Sequence, residues 1–264
     1  MTTPNVWAVR EVALATFYDL TTNKARIQLM NLKTSGLENT AETTYSLGGR
    51  GNAKIVGFSG NRGGRVTLQD AVFTNEVIAM MTGNDIDSSV KSIYQKEVLT
   101  VEGGKATLKF VPENAGQGLI SVYEIHPDGT HKEEFEYAAS LSAKKYTLNG
   151  KELAFNTGEL ADGTEIAAYY QTLTDPSAKT ITVSSDKFAG TFKVVLDCLV
   201  RNVVDEKDYA AQIVINKAKM EDNWTISMAA TGEPSVFDIP MEILKPVNQT
   251  ELYTMTVYDE SLIA

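Results

Sequence analysis

The sequence is poor in the residues that usually carry chemistry. Its 264 residues include one cysteine, two histidines and two tryptophans. A single thiol, Cys198, excludes an internal disulfide, and its setting in TFKVVLDCLV is that of a buried strand residue rather than a nucleophile. The two imidazoles, His126 and His131, flank a Pro-Asp-Gly turn with no cysteine nearby, which reads as a hairpin tip and not as a metal site. No apolar run approaches the ~18 residues that a bilayer span needs. The first residues, MTTPNVWAVREVALATF, lack the cationic start and apolar stretch of a secretory signal, so the protein is expected to stay in the cytosol where it is made. Positive charge is also scarce, with a formal net charge of −10 that disfavours specific binding of nucleic acid.

No recognised catalytic or phosphate-binding pattern fits. Neither GxxxxGK[ST] nor GxGxxG can be laid on the glycine-rich stretch, and Ser59 in GFSGN misses the nucleophile-elbow spacing by one residue. The segment NDIDSS lacks the glycine and distal glutamate of a calcium loop. Carboxylate pairs such as Glu133-Glu134 point to opposite faces if they lie in strands, which does not suit glycoside hydrolysis. The chain is therefore read as no enzyme, with no cofactor and no metal.

Strand patterns dominate what is present. Residues 11–18, 25–32, 65–70, 164–173, 180–184, 191–201, 209–216, 224–230, 236–244 and 252–258 are short, β-branched, aromatic or alternating. Asp128-Gly129, Asn149-Gly150 and Asp162-Gly163 are hairpin-turn dipeptides. The expected fold is mainly β, two packed antiparallel sheets in a sandwich or barrel. One helix flanks them over Ala71–Gly83, started by Asp70 or Thr74 and stopped by Gly83. The looser stretch 98–160 reads as a β elaboration inserted into one domain spanning 1–264.

One stretch stands apart. Seven of the nineteen glycines fall between Gly48 and Gly64, in GGRGNAKIVGFSGNRGG. Glycine loses the most conformational freedom on ordering, so the segment reads as a loop that is mobile alone and fixed by a partner. Its cations Arg50, Lys54, Arg62 and Arg65 and its apolar residues Ile55, Val56 and Phe58 are the candidate contact residues. The candidate complement is acidic: Glu221, Asp222, Glu233, Asp238, Glu242 and Glu251, either as a contact face or as the wall of a channel.

Four stretches, taken together, resemble the major tail tube proteins of tailed bacteriophages. They are FYDLTTNKARIQLMNLKTSGLE (Phe17 to Glu38), the run from Gly48 to Gly83, LADGTEIAAYYQT followed by SSDKFAGTFKVVLDCLVRN, and Ala210 to Leu244. In the last of these Gly232, Pro234, Ser235 and Asp238 form a turn similar to one in that family. The resemblance covers most of the chain outside 98–160. It implies a virion structural protein that assembles into hexameric rings stacked as a tube, through which phage DNA passes without specific binding. Its partners are then other copies of itself, a tape measure protein and a sheath where one is present, with no membrane involved. The protein is expected in the virion tail after synthesis in the host bacterial cytoplasm. Competing expectations are a decoration or tail-completion protein, and a monomeric β-sandwich module whose glycine loop grips a carbohydrate or peptide.

Overall fold

The computed structural model describes residues 3–113, 115–226, 228, 230 and 235–262. The chain divides into two compact units, Met1–Ile86 with Ile181–Ala264, and Asp87–Thr180. The stretch 98–160 falls inside the second.

The first unit begins with β1 (Trp7–Val9), β2 (Leu14–Asp19), β3 (Ala25–Leu29), β4 (Leu32–Gly48), β5 (Ala53–Asp70) and the helix α1 (Asn75–Thr82). The second unit holds β6 (Ser92–Thr100), β7 (Lys105–Thr107), β8 (Ser121–Ile125), β9 (His131–Tyr137), β10 (Lys145–Asn149), β11 (Glu152–Phe155) and β12 (Glu165–Leu173). The chain then returns to the first unit with β13 (Thr191–Asn202), β14 (Asp208–Met220), β15 (Phe237–Ile243) and β16 (Tyr253–Tyr258). The protein is mainly β, with one α-helix among the described residues, as the sequence patterns indicate.

In the first unit the strands run β3-β2-β13-β14-β15-β5-β4, with β1 beside β13 and β16 beside β14. Strand β14 serves two neighbours on one edge, pairing residues 210–215 with β16 and 218–220 with β15. Period-two alternation puts one set of side chains inside: on β15 Phe237, Ile239, Met241 and Ile243 are buried while Asp238 and Glu242 are exposed. These join Phe17, Val66, Leu68, Val194 and Ile215 in a core to which α1 adds Val77, Met80 and Met81. Cys198 lies half-buried on β13, and burial pushes its thiol pKa up, in keeping with an inert strand residue.

The helix is shorter than expected. Asp70 still belongs to β5, and its carboxylate accepts the Val72 N–H at 3.0 Å, so Ala71–Thr74 bend instead of coiling. Thr74 is the N-cap by position, yet its hydroxyl makes no cap bond. Gly83 ends the helix as expected: it sits at φ 70°, donates its N–H to the Ala79 carbonyl, and has the Phe188 carbonyl where a Cβ would lie, at 2.2 Å.

Two expected strands do not form among the described residues. Over 180–184 the backbone makes only an isolated bridge, Asp87 to Thr180, and Asn84 Nδ2 donates to the Thr182 carbonyl at 2.8 Å, occupying a group that a sheet would use. Over 224–226 the chain is irregular because the Trp224 ring turns onto Phe237, with ring centroids 6.0 Å apart.

The second unit is a seven-stranded arrangement, β6-β12-β8-β9-β10-β11-β7, whose β9–β10 contact is parallel and whose other pairings are antiparallel. Asp128-Gly129 and Asn149-Gly150 make the expected hairpins, with Gly129 at φ 81° and Gly150 at φ 60°. Asp162-Gly163 is a turn but joins no hairpin: the Asp162 carboxylate accepts the Gly103 N–H at 2.7 Å, and β12 goes on to pair with β6 and β8. The core of this unit is its own, built on Val122, Phe135, Tyr146, Leu153, Phe155, Ile166 and Tyr170.

Candidate functional site

The glycine-rich stretch is not a loop. It is the distal half of a two-stranded ribbon in which β5 pairs with β4 from Asp70 out to Ala53, and only the tip, 49–52, is a turn. Backbone pairing with β4 therefore replaces the mobility expected from its glycine count. Only Gly49 and Gly51, at the tip, use positive φ. Gly57 serves a different purpose, since a Cβ there would lie 3.2 Å from both Thr43 and the Tyr45 ring. Its absence lets that ring lie across the strand, with the Lys54 amine 3.9 Å above it.

The ribbon's last tie to the sheet is at Asn39, opposite Gly64: the Asn39 side-chain amide donates to the Tyr253 hydroxyl at 2.8 Å, and beyond that pair the ribbon bonds only to itself among the described residues. Strand β15 pairs with β5 only from Gly64 to Asp70, and all positions from 53 to 62 on β5 and from 38 to 47 on β4 are exposed. At ~3.4 Å per residue the two strands carry the tip about 30 Å past the core. Directly paired residues share a face, so Phe58 with Thr44 and Val56 with Ser46 lie on one side. Ile55 joins them, because its Cδ1 lies 2.8 Å from the Cβ position of Gly48, the next residue of that row. Ile55 (66% exposed), Val56 and Phe58 (63% exposed) thus make an apolar strip with no cover among the described residues. Arg50 is at the tip, Arg62 sits in the bulge opposite Thr40 and Glu42, and Asn61 donates to Glu42 at 2.7 Å. Between 39 and 62 the three cations face the single carboxylate Glu42.

Arg65 differs from the other candidate cations. It lies at the root of the ribbon within the sheet, and its guanidinium bonds Glu221 of its own chain at 2.7 and 2.9 Å. The candidate acids also separate. Glu221, Asp222 and Asp238 line one shallow cavity of about 800 Å³ with Arg65, Trp224 and Pro240. Glu242 lies beside them, paired across strands with Lys219 and Arg65. Asp222 accepts the Ala189 N–H at 2.6 Å, and Asp238 accepts from Gln69 at 3.0 Å. Glu251 stands apart in the exposed segment before β16, and Glu233 lies outside the described residues, as do Gly232 and Pro234.

Sequence reading missed the other half of the ribbon. Strand β4 carries LKTSGLENTAETTYSLG, rich in threonine, but both faces of its outer half meet water. The alternation that announces a half-buried strand is therefore absent, and only its β-branched content could have signalled it.

No group of three His, Cys, Asp or Glu side chains converges to hold a metal among the described residues, and no helix there is long and apolar enough to cross a membrane. Asp87 of NDIDSS pairs with Lys91 at 2.5 Å. A family model described as the YomU/Tube protein family matches residues 7–257, and the chain belongs to that family. A search of curated proteins finds no match. Membership agrees with the tail tube resemblance and marks the chain as a structural tube protein.

Proposed function

We propose that this chain is a phage tail tube subunit that closes into hexameric rings and stacks through its ribbon. The observation that carries the reading is the ribbon itself. An isolated two-stranded hairpin is at best marginally stable in water. Here one face also exposes three large apolar side chains, Ile55, Val56 and Phe58, whose burial against a partner stabilises by about 1.5–3 kcal/mol each. A second copy in the next ring supplies that cover. Arg50, Lys54 and Arg62 then meet the acidic side formed by Glu221, Asp222, Asp238 and Glu242.

Ring closure draws on the sheet borders. Strands β16-β14-β13-β2-β3 form a continuous path whose two end strands, β3 and β16, have no outer neighbour among the described residues. Pairing β3 of one copy with β16 of the next is a head-to-tail contact that rotation closes, and it removes both borders. The side of this path away from the core then faces the channel. Gln28, Thr16, Val195, Val214 and Thr254 make one paired row across it, and Leu14, Asp197, Gln212 and Thr256 the next. Asp197 is bonded by Gln212 at 2.8 Å, and on the same face of β13 Lys193 pairs with Tyr18 while Arg201 is tied to Asp208, which leaves Lys193 as that strand's one cation without a carboxylate partner among the described residues. DNA is held in proportion to the phosphates a wall neutralises, and this wall neutralises few. Other tail components, a tape measure inside and a sheath outside where the tail contracts, complete the assembly in the virion.

The test replaces residues 43–59 with an Asn-Gly turn, closing the ribbon at the Glu42–Gly60 pair. Wild-type protein should give tubes in negative-stain micrographs, whereas the shortened chain should give single rings or monomers with an unchanged melting transition. Normal tubes from the shortened chain would overturn the ribbon's role, and a wild-type chain that stays monomeric at high concentration would point to a binding module.

A further inference from the structure

The solvent face of the second unit carries an ordered group of rings. Tyr123 and His131 stack with centroids 4.3 Å apart and planes 5° from parallel, and Tyr169 stands edge-on to both. His131 Nε2 and the Tyr169 hydroxyl are 2.8 Å apart. Cross-strand pairing fixes the face. Ala167 pairs with Tyr123, Tyr169 with Lys96, and Gln171 with Tyr94, while the alternate residues Ile166, Ala168 and Tyr170 enter the core. Ala167 is only 1% exposed although it points away from that core, so the rings roof it over. Next to this fixed group Tyr94 is 77% exposed, and the Lys96 amine lies 5.6 Å from the Tyr169 centroid.

We propose that this face binds an extended, neutral surface polysaccharide. A pyranose has an apolar C–H side and a rim of hydroxyls. Tyr94 and Tyr169 offer flat apolar rings to the first, and Gln171 and Lys96 offer donors and an acceptor to the second. Packing against Tyr123 and His131 already immobilises Tyr169, so of the two stacking rings only Tyr94 has side-chain freedom to lose on binding. The face is a sheet surface and not a pocket, which suits a polymer lying across it over a single sugar. Nucleic acid is disfavoured, because residues 87–180 hold fourteen Asp and Glu against nine Lys and no Arg. A protein contact is disfavoured by the lysine at the centre, a residue depleted from interface cores. The site is complete within one chain and does not depend on the tube reading, although many copies in an array raise a weak single-site affinity by avidity.

The test uses the full chain with cellohexaose and chitohexaose, whose all-equatorial rings present the flattest C–H faces, followed by saturation-transfer NMR and calorimetric titration. Saturable binding of at least one hexasaccharide is expected, with magnetisation reaching its ring C–H protons. Tyr94→Ala and Tyr169→Ala should each weaken it about tenfold, as the loss of an aromatic stacking contact implies. Tyr94→Ala should melt with the wild type, since that side chain packs on little. Failure of both probes to bind, or unchanged affinity in both variants, overturns the proposal. A change in sedimentation of Tyr94→Ala without a change in sugar binding also overturns it, and makes the face a contact between copies.

Discussion

The ribbon and the second unit are both β-structure without an α-helix, and they solve opposite problems. In residues 87–180 the strands enclose a core of their own, where Phe135, Tyr146, Phe155 and Tyr170 are all under 4% exposed. The outer ribbon encloses nothing, and its large apolar residues, Ile55, Val56 and Phe58 on β5 with Tyr45 and Leu47 on β4, face water. Folding thermodynamics accounts for the first region and leaves the second unexplained, because exposed apolar strips that stabilise nothing in the free chain signify contact with something else. The proposed stacking role of the ribbon rests on that contrast more than on any single residue type.

The strongest way to break the comparison is to damage the self-sufficient side. Phe135 is 2% exposed and meets Phe155 edge-on, with centroids 5.2 Å apart. Phe135→Ala should destabilise the second unit by about 3–5 kcal/mol through lost burial and the cavity left behind. If that unit stands on its own core, differential scanning calorimetry will resolve an early transition for it while the remainder melts as before. A single transition shifted as a whole would mean that the two units unfold together.

Glycine offers a finer version of the same contrast. A Cβ at Gly60, in the ribbon, would meet nothing within 4 Å, whereas at Gly83 it would collide with the Phe188 carbonyl at a backbone φ of 70°. Gly83→Ala should therefore cost about 2 kcal/mol or more, combining left-handed strain with a clash against backbone. Gly60→Ala should stay within about 0.5 kcal/mol of the wild type. Urea melts of the two variants, read as midpoints at constant slope, check both. Equal losses would show that the ribbon is packed after all.

Much of the fold was legible in the sequence because burial on one side leaves a period-two imprint. Strand β15 buries alternate residues, β12 and β13 do so apart from the runs Ile166–Ala168 and Val194–Leu196, and Gly83 announces the end of α1 through the conformation it alone takes easily. The ribbon was legible only as composition. Its glycines and cations pointed to a contact segment, but with both faces wet there is no alternation to reveal that Leu32–Gly48 pairs along it. The same blindness applied to the acids. Glu221, Asp222, Asp238 and Glu242 are spread over the sequence, and the β14–β15 pairing with the chain leading off it brings them together. Arg65 stood in a cationic run, yet strand register places it at the sheet and not on the arm.

The smallest expected effect concerns β16, one of the two borders assigned to ring closure. Asp259 follows it directly and is tied down where the ribbon is free: its carboxylate accepts from Lys207 Nζ at 2.7 Å, from Ser261 Oγ at 2.6 Å and from the Ser261 N–H. The Lys207 ammonium, helped by Ser261, holds the Asp259 pKa down to about 2, and the same contact raises that of Lys207. A carboxyl that is more acidic folded than unfolded adds stability above its unfolded pKa, and that stability disappears as pH falls through the folded value. The contribution is thus complete above about pH 4 and gone near pH 2. Asp259→Asn should melt slightly below the wild type at pH 7, and the gap should close as the pH is lowered across that interval. Melting curves recorded in steps from pH 7 to pH 2 measure it. A gap that stayed constant to pH 2 would show that the tie acts through hydrogen bonding and packing and not through charge.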